Sequence, residues 1–271
     1  MSRGITTTDE EKRGKLLTLA ALIALAIFIS KITQAQTQVV AWRVYMNAGI
    51  YFVVSFLGLL WAFNFKVKKK SVLFLLQSAL YVFSQAVFIE FFFFQKFSRI
   101  YEALILLLLM FLVFIGNYIS FLMANVLNVD LFKKIPLAQV GRTSSYLVSL
   151  LMMYFLTFSL LVTGLEIYVL LPLIFIAYAL IVYLHYLNIG IGEGELYKKS
   201  LLTLLITFIL FLGIFLTGDS HELVSAIPVV GYYFSVGVVS QENIAYDKGK
   251  GIYFYIIILV FLFLLAVFLN I

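Results

Sequence analysis

Glu90 stands in Val87-Phe88-Ile89-Glu90-Phe91-Phe92, an acid within an apolar run. Ionisable side chains in such runs are costly to bury and default to a functional role. Glu90 lies five residues before Gln95, which at 1.5 Å per residue is roughly 7–8 Å below the outer end of its segment. Two chemistries fit it. One is a proton- or cation-binding carboxylate in a cavity open to the outside. The other is structural: an ion pair with Arg43 or Arg99, or a protonated acid bonded to a neighbouring helix. So shallow a depth favours the structural reading. In the same run Gln77, Ser84 and Gln85 fall at i, i+7 and i+8 on one helical stripe, with Ser78 one position round. Asn117 and Ser120, three apart in the next run, offer a partner surface. Glu90, Gln85, Arg43 and Asn117 together form a candidate intramembrane polar site, whose amides either glue helices together or line a polar path.

A second candidate is an outer vestibule. Asp219, His221 and Glu222 precede the segment 223–239, which contains Ser225, Pro228, Gly231, Ser235 and Gly237. Proline frees backbone groups and glycine weakens a helix, and freed backbone is tolerated only against protein or in a wet cavity. The segment is therefore either a re-entrant or discontinuous helix beside a water-filled mouth, or a short, kinked crossing.

Other chemistries leave residues that are missing here. There is no acid pair to hold a metal against a diphosphate, no His-Glu-x-x-His, no Ser with a base and no phosphate loop of the Walker type. With no cysteine, thiolate metal sites, iron–sulfur clusters and cysteine nucleophiles are absent as well. His185 and His221 fall at opposite membrane faces. His185 and Asn188 close the sixth apolar run, where a histidine commonly caps carbonyls and meets the helix dipole. Gly190-Ile191-Gly192-Glu193-Gly194 reads as a turn rather than a phosphate nest, because Glu193 and Glu195 would repel an anion. No catalytic residue, cofactor or metal is expected.

The elements that must position these residues follow from composition. Of 271 residues 64% are apolar and 12% charged, with mean hydropathy +1.10, against roughly 45–50% and about 25% in a soluble domain. A soluble catalytic or nucleic-acid-binding domain is excluded. Apolar runs at Leu16–Ile29, Val44–Phe65, Val72–Phe94, Leu104–Leu127, Tyr146–Thr163, Ile167–Leu187, Leu201–Thr217, Leu223–Val239 and Ile252–Leu269 are mostly long enough to cross a bilayer. Stretches such as Leu106-Leu107-Leu108-Leu109 lack the alternation that a barrel strand requires. The fold class is thus all-α, a polytopic transmembrane bundle of about nine spans, or eight if 223–239 re-enters.

Charge sets the orientation. With the N-terminus inside, 15 of the 19 Lys and Arg residues fall in inner loops and four in outer ones, as the positive-inside rule requires. The expected organisation is a polar cytoplasmic segment, 1–15, ahead of one transmembrane domain, 16–271, in the cell membrane with an extracytoplasmic C-terminus. The net charge of +6 then marks cytoplasmic loops and implies no nucleic-acid partner. In the loop Asn128–Thr143, which Pro136 should break, Lys133, Lys134 and Arg142 could touch anionic lipid. The function expected from these features is a non-enzymatic subunit or scaffold with membrane-protein partners, the alternative being a transporter or channel for a weakly polar or lipid-like substrate.

Overall fold

Backbone buried in lipid has no water to bond, so each apolar run must satisfy its own peptide groups, which a helix does within one segment. The computed structural model describes residues 3–33, 40–67, 71–93, 100–128, 135–216 and 220–240. Among these residues there are eight α-helices and no strand: α1 (Arg3–Thr33), α2 (Ala41–Ala62), α3 (Ser71–Phe92), α4 (Ile100–Asn128), α5 (Ile135–Val162), α6 (Ile167–Ile189), α7 (Glu193–Phe215) and α8 (His221–Ser240). All eight are long and apolar enough to cross a membrane. The chain is a multi-pass membrane protein built as a helical bundle. The expected ninth crossing, 252–269, lies outside the described residues.

Three boundaries differ from expectation. α1 runs unbroken from Arg3, so the polar residues ahead of Leu16 lie on the same helix as the first apolar run. Its Lys15 pairs with Glu11 one turn back at 2.8 Å, the spacing that supports an exposed helix. α5 begins at Ile135 rather than Tyr146. Pro136 therefore opens this helix instead of breaking the loop, since a first-turn residue has no intrahelical N–H bond to lose. The segment 223–239 is not broken: α8 is one continuous helix with Pro228 inside it.

The helices cluster in two compact units, Met1–Val148 and Ser149–Ile271, with α5 running through the boundary. In the first unit α1 packs on α2 and α4, and α3 packs on the same two helices. The result is a closed up-down ring. α1 turns Leu16, Leu19, Ala20, Ile23, Ala24 and Ile27 inward, an i, i+3, i+4, i+7 stripe. On α2, Gly58 receives Leu19, whose methyl groups occupy the space a Cβ would need. α3 is the most enclosed helix, with 61% of its span buried against 22% for α2. At the far end of α2, Asn64 and Phe65 take left-handed backbone (φ 52 and 55), and Lys15 reaches across to donate to Asn64 Oδ1 at 3.0 Å.

In the second unit α7 packs on both α6 and α8. Its inward stripe is Leu196, Thr203, Thr207, Phe211 and Ile214, whereas Leu201, Leu205 and Ile209 face outward. The turns are short. Gly164 (φ 65) follows α5, and Gly190 (φ 78) ends α6 in the left-handed conformation that glycine adopts without a Cβ penalty. Gly192 then opens α7, its carbonyl accepting the amides of Glu195 and Leu196 at 3.0 Å. The alternating glycines thus form a helix stop and a helix start.

Candidate functional site

α3 carries the polar stripe, and its enclosure in the ring gives each polar group a protein environment. Glu90, near the C-terminal end of α3, is 7% exposed. Among the described residues its partner is not Arg43. Lys31 Nζ, from the last turn of α1, donates to Glu90 Oε2 at 3.0 Å, with the two side chains 7% and 10% exposed. Arg43 is exposed and Arg99 lies outside the described residues. The C-terminal ends of α1 and α3 meet at one level, which puts Lys31 within reach of Glu90. Beside the pair is a small apolar crevice lined by Lys31, Ala24 and Phe28 of α1, Ile89 of α3 and Met110 and Val113 of α4.

Deeper along α3, Gln85 Nε2 donates to the Tyr81 hydroxyl at 3.4 Å. Tyr81 lies against Gly116 of α4, where an added Cβ would overlap its hydroxyl. One turn further, Ser78 Oγ donates to the carbonyl of Ser120 at 2.8 Å. Toward the N-terminal end of α3, Gln77 and Ser145 exchange bonds: Ser145 Oγ donates to Gln77 Oε1 at 3.2 Å and Gln77 Nε2 to the Ser145 carbonyl at 3.4 Å. The structure therefore brings Gln85 to Gly116 of α4, the residue before Asn117, leaves Arg43 exposed, and joins Glu90 to a lysine of α1.

The residues of the expected vestibule are spread along α8. Asp219 lies outside the described residues, while His221 and Glu222 are exposed. Ser225 Oγ donates back to the His221 carbonyl. Pro228 and Gly231 are buried. A Cβ on Gly231 would stand 3.2 Å from Leu210 Cδ1 and 3.6 Å from Thr207 Cα, so this glycine marks the close approach of α7 and α8. No family model, curated protein or solved structure matches the chain.

Several polar contacts have no counterpart in the expectation. Thr207 Oγ1 and Ser235 Oγ lie 3.1 Å apart between α7 and α8. Tyr186 meets Thr203 at 2.7 Å between α6 and α7, and Tyr178 meets Thr157 at 2.8 Å between α5 and α6. His185 is 1% exposed and its ring stands edge-on to Tyr232 of α8 at 5.6 Å. The spacing of Thr203 and Thr207, i and i+4 in an otherwise apolar run, is the signal that could have found the α7 stripe. Among the described residues no three His, Asp or Glu side chains are grouped to hold a metal.

Proposed function

We propose that this chain is a non-enzymatic subunit or scaffold of a membrane complex, set in the cell membrane with its N-terminus in the cytoplasm and its C-terminus outside. The observation that carries this reading is the engagement of Glu90. Among the described residues it is the only buried acid, and Lys31 holds it at 3.0 Å. A carboxylate that couples transport must be open to its ion or proton. This one clamps α1 to α3, two helices that each pack on α2 and α4. The orientation is supported by the 15 inner and four outer basic residues. Arg142, exposed on α5, together with Lys133 and Lys134 favours contact with anionic lipid.

A transporter of a weakly polar or lipid-like substrate is the second reading, favoured by the polar groups between α3 and α4. Purification of the full chain in mild detergent separates the two. A subunit is recovered with stoichiometric partner proteins. A lone, monodisperse chain that carries a solute into sealed vesicles would overturn the proposal.

A further inference from the structure

We propose that the α3–α4 interface encloses a hydration site, in which Asn117, Gln85 and Ser120 hold one or a few water molecules. Asn117 and Ser120 are fully buried and Gln85 is 6% exposed. Both amide heteroatoms of Asn117, the Oε1 of Gln85 and the hydroxyl oxygen of Ser120 have no hydrogen-bond partner among the described residues. Asn117 and Ser120 share one face of α4 at i, i+3. Two contacts join α3 to this stretch of α4: Ser78 on the Ser120 carbonyl, and Tyr81 with Gln85 against Gly116, the residue before Asn117. From Ser78 to Gln85 is seven residues of α3, about 10 Å of helix.

The energetic cost argues that these atoms are paired. A buried polar group without a partner is costly, and more so in hydrocarbon. Four such atoms together would weigh heavily against the marginal stability of a domain. The donors and acceptors define the ligand. An amide N–H₂, a hydroxyl and two amide oxygens offer both kinds of bond, and a buried water makes about three, given and accepted. All these groups are neutral, and the buried acid Glu90 is already matched by Lys31. A metal cation would therefore have no compensating charge, and an anion would have none either. Water meets the hydrogen-bonding demand without a charge to balance.

Radiolytic hydroxyl footprinting of the full chain in mild detergent, read by mass spectrometry, tests the site with water itself as the probe. Hydroxyl radicals made from a held water attack the side chain beside it. Tyr81 is 2% exposed and Tyr178 fully buried with its hydroxyl on Thr157, so bulk solvent reaches neither. Tyr81 should be oxidised several-fold faster than Tyr178, and Asn117→Leu should bring it down to the Tyr178 rate. Ser120→Ala, the smaller change, should lower it in the same direction if Asn117→Leu fails to fold. Equal rates for the two tyrosines in the native chain would overturn the proposal. A fast Tyr81 indifferent to both substitutions would overturn it too, by placing the water elsewhere.

Discussion

Removing the charge from Lys31 or Glu90, singly and together, measures what the clamp contributes. At 3.0 Å the Coulomb attraction is about 5 kcal/mol for an effective dielectric of 20, before the cost of desolvating both ions is subtracted. Breaking a buried pair by removing one partner typically costs about 3–5 kcal/mol, whereas replacing both is close to neutral. The two single losses should differ. Lys31 is two residues from the end of α1 and can extend its ammonium toward the headgroups once Glu90 is gone. The shorter Glu90, held inside the ring, has no such exit. Glu90→Gln should therefore cost about 2 kcal/mol and Lys31→Met about 3–4 kcal/mol, with the double variant within about 1 kcal/mol of the native chain. The assay is reversible unfolding in mixed micelles by SDS titration, followed by the fluorescence of Trp42 and Trp61 on α2. Arg43→Met is the control: with Arg43 exposed, it should shift stability by no more than about 0.5 kcal/mol. Strict additivity of the two pair substitutions, or an Arg43 effect equal to that of Lys31, would refute the assignment.

The ring and the α7–α8 contact make two further predictions. Gly116→Ala drives a methyl into the Tyr81 hydroxyl and should destabilise by about 1–3 kcal/mol; in the same titration Tyr81→Phe should recover most of the loss, and no recovery would place the clash elsewhere. Because the sequence has no cysteine, single cysteines on α8 can be probed with a membrane-impermeant thiol reagent. His221→Cys, at an exposed position, should react readily, while Gly231→Cys and Ser235→Cys, buried against α7, should stay protected from both sides; rapid labelling of either would reopen the vestibule.

Elements were far more legible in the sequence than their partners. The run Leu104–Leu127 is also the structural span, because nothing interrupts its hydropathy and a helix is the one solution open to it in lipid. Ends were harder. Pro136 looks like a stop when the chain is read as a string, yet it is permitted in a first helical turn, and the apolar and basic residues of 135–142 form a helix that hydropathy alone would not select. Pro228 presents the converse case. A proline inside a short run suggests a break, but packing against α7 through Gly231, Thr207 and Ser235 keeps α8 continuous where its own backbone bonding is weakened.

The candidate site shows why pairing is less readable than placement. Depth along a helix follows from residue counting, and Glu90 was placed near an outer end on that basis. Its partner depends on which helix outer ends share a level, which the order of spans alone does not fix. Lys31 lies beyond the apolar run, which stops at Ile29, yet within α1, which continues to Thr33. For neutral groups the problem inverts the logic of a soluble core. With lipid outside, the polar side of a helix turns inward, so α3 is at once the most enclosed span and the one rich in Gln, Ser and Glu. The stripe at Gln77, Ser84 and Gln85 therefore showed the buried face of α3 directly. That Gln77 would meet Ser145 and Ser78 the carbonyl of Ser120 depends on the ring itself, in which α3 lies between α2 and α4 and the first half of α5 reaches the N-terminal half of α3.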